Sequence, residues 1–320
     1  MKTIELDLKL RVEYKTSAAE GITGLSLVDI EGRPLPAWTP GAHIDVNLGN
    51  GLVRQYSLCG TVEDPSQWKI CVLREPAGRG GSQRICDSLE VGDVLDVRGP
   101  RNNFELLPAA EYAFIAGGIG ITPLLPMIER AESSAIPWTL TYGGRSLASM
   151  AEAEMLQQKY GSKVVLWPQD EQGHIDLAGI IHSLGSDTLV YCCGPEPLLK
   201  ALDTVRTEAG IAGNRVRTER FAPKESESPM RDSTFEVEFA RSGVTARIEP
   251  GQSILAAAQE AGLPVLFSCS EGTCGTCETE IVSGVADHRD SVLTEEEQQA
   301  GETMMICVSR AACPKITLDL

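Results

Sequence analysis

The period of apolar and polar positions changes twice along the chain. Up to about residue 105, short alternating segments at 44–48, 54–58, 68–73 and 94–98 are separated by glycine and proline turns. Alternation sends successive side chains to opposite faces, and many short strands at this spacing predict an antiparallel β-barrel. From about 110 to 220, strand-like segments at 113–116, 138–142, 164–167, 188–192 and 216–220 alternate with helical runs such as 123–132 and 196–208. That rhythm predicts an α/β, doubly wound parallel sheet. Beyond it come strands near 235–239, 245–248, 279–282 and 316–318 and a helix near 253–261, which predict a small mixed α+β sheet. The expected domains are 1–107, 108–222 and 234–320. Residues 223–233, polar and carrying Pro223 and Pro229, read as a linker.

The one long apolar run, 112–128, is broken by three glycines and two prolines. It reads as a buried strand, turn and helix, not a membrane span. The first ten residues alternate and lack the apolar core of a signal peptide. A cytoplasmic protein is expected. The 320 residues carry 45 acidic and 28 basic side chains, a formal net charge of −17. From Asp232 onward there are 15 acidic and 5 basic residues, so the acidity concentrates in the last domain. A nucleic-acid face is therefore not expected, whereas brief, electrostatically steered docking with a protein partner is. Solubility alone is the plainer explanation of the same charge.

Cysteine spacing supplies the sharpest chemistry. Cys269, Cys274 and Cys277 stand at C-x4-C-x2-C, with Cys307 far downstream, which is the ligand spacing of a plant-type [2Fe–2S] cluster. Gly272, Gly275, Ser270, Thr273 and Thr276 keep the loop small, so that backbone N–H groups can reach the anionic sulfurs. A four-cysteine zinc site is the main alternative, but such sites pair their ligands in two short arms, and the second arm here is a single cysteine. The other six cysteines (Cys59, Cys71, Cys86, Cys192, Cys193 and Cys313) are scattered and read as reduced thiols.

Two anion-binding features fall in the barrel. Arg54 and Tyr56 lie on one face of a strand and Ser57 on the other; an arginine can clamp phosphate and an aromatic can lie along a flat ring. Gly80, Gly81 and Ser82 precede a helix expected over 83–89, whose N-terminus favours an anion. A simple capped turn with Ser82 as N-cap is the alternative. In the second domain Gly117, Gly118 and Gly120 lead to Thr122 and Pro123, a turn that lets backbone approach a pyrophosphate, although a strict G-x-G-x-x-G is absent. A later strand ends at Cys193 and Gly194, at the carboxyl edge where such sheets bind ligands. His43, His174, His182 and His288 read as structural or exposed.

Taken in order, Arg54 to Leu58, Gly80 to Ser82, Gly117 to Pro123, Cys193 to Pro195 and the four-cysteine pattern make the chain resemble the phthalate dioxygenase reductase family over essentially its whole length. Vanillate demethylase and carnitine monooxygenase reductases are similar. The resemblance implies an FMN-binding barrel, an NADH domain related to ferredoxin–NADP reductase, and a β-grasp ferredoxin domain. By position, it implies that Arg54, Tyr56 and Ser57 bind FMN and that Gly80, Gly81 and Ser82 hold its phosphate. It places Gly118, Gly120 and Thr122 on the nicotinamide nucleotide, Cys193 and Gly194 beside the nicotinamide, and Phe221 against the flavin. Cys269, Cys274, Cys277 and Cys307 would be the iron ligands. Arg145 and Ser146 could accept a 2′-phosphate, while Asp170 and Glu171 favour an unphosphorylated ribose; NADH is the expected donor.

The implied partner is a Rieske-type oxygenase component, met transiently by a monomer through acidic residues such as Glu271, Glu278 and Glu295 to Glu297. A free-standing flavin or ferric reductase is the alternative. The cofactors carry the chemistry, so no catalytic acid or base is expected from the protein.

Overall fold

The computed structural model describes residues 5–49, 51–223 and 233–320, and the chain divides into two compact units, Met1–Glu219 and Arg220–Leu320. Most of the expected linker, 224–232, lies outside the described residues.

The first unit begins with six antiparallel strands: β1 (Leu6–Ala19), β2 (Ile22–Asp29), β3 (His43–Asn47), β4 (Val53–Ser57), β5 (Trp68–Leu73) and β6 (Val94–Arg101). Their order is β4-β3-β6-β1-β2-β5. The two edge strands meet: Leu58 bridges Ile70, and the Cys59 N–H donates to the Lys69 carbonyl at 2.9 Å. That seam turns the sheet into the expected barrel. Its interior holds Leu10, Val12, Leu27, Ile44, Leu58, Trp68 and Ile70, none more than 1 % exposed. Each such apolar side chain contributes roughly 1.5–3 kcal/mol by leaving water.

The long β1–β2 hairpin is absent from the strands expected from the alternation. Bulges between Val12 and Tyr14 and between Ser17 and Ala19 shift the register and blur the period.

The same unit continues into five parallel strands, β7 (Glu111–Gly117), β8 (Trp138–Gly144), β9 (Val164–Pro168), β10 (Thr188–Cys193) and β11 (Val216–Glu219), in the order β11-β10-β7-β8-β9. In β7, Tyr112, Phe114 and Ala116 join one apolar cluster with the helix Leu124–Ser133, while Ala113 and Ile115 join another with Leu177, Leu199 and Leu202. The sheet is covered on both faces, as the continuous apolar strand requires.

The second unit is a mixed sheet of β12 (Phe235–Phe239), β13 (Val244–Ile248), β14 (Glu278–Ser283), β16 (Thr303–Met305) and β18 (Lys315–Leu318), in the order β13-β12-β18-β14-β16. A two-stranded ribbon, β15 (Ala286–Asp287) with β17 (Arg310–Ala311), stands beside it in sequence. The helix Ile254–Glu260 is N-capped by Ser253, whose Oγ accepts from the Ala256 N–H, and buries Ile254, Leu255, Ala257 and Ala258 in the core of this unit. Among the described residues no helix is long and apolar enough to cross a membrane.

Candidate functional site

In the second unit the loop before β14 folds back on itself through left-handed residues. Ser270 has φ +56° and Gly272 φ +71°. A Cβ on Gly272 would lie 2.6 Å from Val308 Cγ2 and 3.1 Å from Asp290 Cα, so only glycine fits there. Asp290 is itself buried and accepts from the N–H groups of Val292 and Leu293, at 3.1 and 2.8 Å. The Ser291 N–H donates to the Gly272 carbonyl at 2.8 Å. The loop is thus pinned from behind.

On its inner side the N–H groups of Glu271 and Thr273 reach Cys269 Sγ at 3.3 and 3.5 Å, and that of Thr276 reaches Cys274 Sγ at 3.4 Å. This is the sulfur solvation expected of a small-residue loop. Cys274, Cys277 and Cys307 are buried and Cys269 is half-buried. Hydrogen bonds from Cys274 and then Cys307 hold the Cys269 thiol far below its ordinary pKa, and a hydrogen bond from Cys307 lowers that of Cys277. The four expected ligands therefore converge, Cys269 with Cys274 and Cys277 with Cys307, linked through Cys269 and Cys307. Among the described residues no three His, Cys, Asp or Glu side chains close around a single ion. Paired thiols suit a two-iron cluster, which takes two thiolates per iron, better than a zinc tetrahedron.

The barrel brings its two anion-binding features together. Gly81 packs against Arg54: a Cβ there would lie 2.7 Å from Arg54 Cγ and 2.8 Å from Nε. Gly80, at φ +83°, is the N-cap of a short helical run, Gly81–Gln83 followed by a wider turn over Arg84–Ser88. This replaces the single helix expected over 83–89. Ser82 is not the cap; its Oγ accepts from the Glu75 N–H at 3.0 Å and closes the preceding turn. Tyr56 is half-buried, and that burial pushes its hydroxyl well above the usual tyrosine range. Ser57 is buried and pairs with His43 across β3 and β4. His43 is buried too, while His174 and His182 are exposed.

At the carboxyl edge of the parallel sheet the glycine turn and the end of β10 touch. A Cβ on Gly120 would lie 2.2 Å from the Cys193 carbonyl oxygen, and one on Gly194 would lie 3.0 Å from Gly117 Cα. Thr122 is buried, with its hydroxyl donating to the Ile119 carbonyl at 3.0 Å. The Asp170 N–H donates to the Arg145 carbonyl at 3.1 Å, so the two expected determinants of nucleotide choice share one corner.

Sequence reasoning missed Glu219, which pairs with Cys193 in the β10–β11 ladder. Among the described residues its Oε2 is buried without a hydrogen-bond partner, and burial pushes the carboxyl up to about 8. Burial, followed by Glu219, also pushes the Cys193 thiol well above its ordinary value. No local pattern marks Glu219, because its desolvation depends on the folded surroundings and not on its neighbours in sequence. Phe221 falls in the second unit and is 47 % exposed.

These features have relatives. Residues 114–204 match the oxidoreductase NAD-binding domain family, and residues 237–312 match the 2Fe-2S iron-sulfur cluster binding domain family. The chain is 43% identical over 288 residues to the phenoxybenzoate dioxygenase subunit beta of Ectopseudomonas oleovorans, covering 89% of each. It is 35% identical over 319 residues to the phthalate dioxygenase reductase of Burkholderia cepacia, covering 98% of this chain and 97% of that one. A solved phthalate dioxygenase reductase, described as a modular structure for electron transfer from pyridine nucleotides to [2Fe–2S], superposes with a TM-score of 0.70 at 35% identity, covering 98% of both chains. An intact type IV self-sufficient cytochrome P450 monooxygenase superposes at 0.91 and 40% identity over 98% of this chain, which spans only 41% of that protein's length.

Proposed function

The chain belongs to the phthalate dioxygenase reductase family, and from that premise we propose that it delivers electrons from NADH to a Rieske-type oxygenase component. It is an oxidoreductase whose cofactor set is NADH, FMN and a [2Fe–2S] cluster. The observation that carries the reading is the convergence of Cys269, Cys274, Cys277 and Cys307 in a chain that also holds an NAD-binding domain. When bound, the flavin and the cluster divide a two-electron donation into single-electron deliveries.

The protein's part is to hold and orient. Arg54 supplies a fixed positive charge beside the Gly80–Gly81 turn, which suits an FMN phosphate. Tyr56 and Ser57, one strand residue apart, suit the flavin ring and its edge, with Ser82 closing the phosphate turn. Gly118, Gly120 and Thr122 leave backbone open to the nucleotide, and Cys193 with Gly194 forms the wall for the nicotinamide. The neutral state that burial favours for Glu219 and Cys193 keeps negative charge away from that wall. Phe221 is assigned to the flavin face by family position. In the ferredoxin domain the N–H groups of Glu271 and Thr273 stabilise a thiolate at Cys269, and that of Thr276 does so at Cys274.

The domains run 1–107, 108–222 and 234–320, the protein acts as a monomer in the cytoplasm, and docking uses Glu271, Glu278 and the capped helix Glu295–Ala300. Its first turn carries Glu295, Glu296 and Glu297. The test is rapid mixing of the NADH-reduced protein with a Rieske-type oxygenase. Oxygenase reduction should slow as salt rises and slow again when Glu295 and Glu296 are changed to lysine. A reductase that passes electrons readily to a small acceptor while every oxygenase offered stays oxidised would sink the proposal.

A further inference from the structure

The barrel closes at one narrow place. The Leu58–Ile70 bridge and the Cys59 N–H to Lys69 carbonyl bond join the end of the β4 segment to β5. Cys59 and Cys71 lie at that seam, with their sulfurs 3.8 Å apart. In the antiparallel register set by the Leu58–Ile70 bridge, Cys59 stands opposite Lys69, so Cys71 is its diagonal neighbour on the same face. Both are reduced and half-buried, and both line a cleft of about 950 Å³ whose wall also includes Lys69, Gln67 and Glu152. Opposite Cys71 on β2 stands Gly24, which adds no side chain to the strand that flanks it.

We propose that Cys59 and Cys71 are a redox-active dithiol that hydrogen peroxide converts to a disulfide, stapling the seam of the barrel. The two thiols are asymmetric. Cys59 donates its S–H toward Cys71, and this bond lowers the Cys71 pKa while raising that of Cys59. Cys71 is therefore the nucleophile and Cys59 the resolving thiol. The Cys71 thiolate attacks one peroxide oxygen, the O–O bond breaks, and hydroxide leaves, giving a sulfenic acid on Cys71. Cys59 sulfur then attacks the Cys71 sulfur, the S–O bond breaks, and the second oxygen departs as water with the Cys59 proton. In sum, two thiols and one hydrogen peroxide give one disulfide and two waters.

Closing to bonding distance brings the sulfurs together by about 1.8 Å, and because diagonal cross-strand neighbours start about 7–8 Å apart the two strands draw together as the side chains rotate. Cys59 is two residues beyond Ser57, so the staple fixes the end of the strand that carries Arg54, Tyr56 and Ser57. The cleft admits a small oxidant to this pair.

The experiment treats the holoprotein with graded hydrogen peroxide, removes excess with catalase, alkylates remaining thiols and maps peptides by mass spectrometry. The expected product is a Cys59–Cys71 linked peptide two hydrogens lighter than the reduced pair, reversed by dithiothreitol. Cys59→Ser should leave a sulfenic acid on Cys71 that dimedone traps, and Cys71→Ser should yield none on Cys59. Recovery of both cysteines as alkylated free thiols when Cys86 or Cys313 is already oxidised would overturn the proposal. So would sulfinic acid on either residue without the linked peptide. The wild-type map decides even where a variant folds poorly.

Discussion

Gly120 rests against the backbone of Cys193, close enough that a Cβ would lie 2.2 Å from the carbonyl oxygen and 2.4 Å from the carbonyl carbon. Neither partner can yield cheaply, since Cys193 is held in the β10 ladder between Ala116 and Glu219. Gly120→Ala must push the glycine turn away from the backbone of Cys193 and Gly194, the proposed wall for the nicotinamide. Overpacking of this kind costs about 1–3 kcal/mol. The expected outcome is a lower melting temperature together with NADH-dependent flavin reduction slowed about tenfold or more, because a misplacement near the reacting atoms is amplified in rate. Thermal unfolding and anaerobic stopped-flow absorbance measure the two effects.

Arg54 packs on Gly81 and donates from Nη1 to the Val53 carbonyl at 2.8 Å, so its guanidinium stem is set before any phosphate arrives. A charge-assisted hydrogen bond is worth about 1.5–3 kcal/mol. Arg54→Ala should weaken FMN binding about ten- to hundredfold, and Arg54→Lys should recover only part of it because the planar fork is lost. Flavin fluorescence on dilution reads the affinity. Unchanged retention in Arg54→Ala would remove the residue from the phosphate site.

Glu219 makes stability depend on pH. Its carboxyl lies near 4.5 when unfolded and is pushed up to about 8 by burial, so the folded protein holds a proton that the unfolded chain releases. The stabilisation from this neutral, buried group is complete below about 4.5, declines as pH rises towards 8, and is gone above it. Glu219→Gln keeps the neutral shape and should flatten this part of the profile. Urea midpoints collected across that window for both proteins make the comparison, and parallel slopes would count against it.

Gly272 is the hinge of the iron loop, with Val308 and Asp290 directly behind it. Gly272→Ala meets both a left-handed backbone and a collision, and it shifts the N–H groups that reach Cys269. The iron and acid-labile sulfide recovered per chain should fall to less than about half, consistent with a local cost of roughly 1–3 kcal/mol. Flavin content should stay as in the parent, since the barrel core has its own residues.

Much of this arrangement can be read before folding, because its signals are local. C-x4-C-x2-C, the glycine turn after β7 and the alternation of 68–73 each sit within a few residues: the four cysteines come together, the turn meets the end of β10 and 68–73 forms a strand. What escaped depends on distant partners. β1 keeps its period over 6–12, where Leu8, Leu10 and Val12 alternate with Asp7, Lys9 and Arg11, but two bulges beyond Val12 break the two-residue period in its second half. Glu219 looks like any acidic strand end until folding desolvates it. Cys59 and Cys71 seem scattered thiols, since only the closing of the barrel makes them neighbours. Ser82 has the composition of an N-cap, yet the Glu75 N–H claims its hydroxyl.

An internal route for electrons, from NADH through flavin to the cluster, is tested most directly by anaerobic titration of the purified protein with NADH. Visible absorption follows flavin and iron–sulfur chromophores together, and low-temperature electron paramagnetic resonance reports a reduced [2Fe–2S] cluster. Along that route NADH should bleach both chromophores and raise the cluster signal, and Cys307→Ser should abolish the cluster signal while flavin bleaching persists. Bleaching of the flavin alone in the parent protein, with no paramagnetic cluster at any NADH excess, would contradict it.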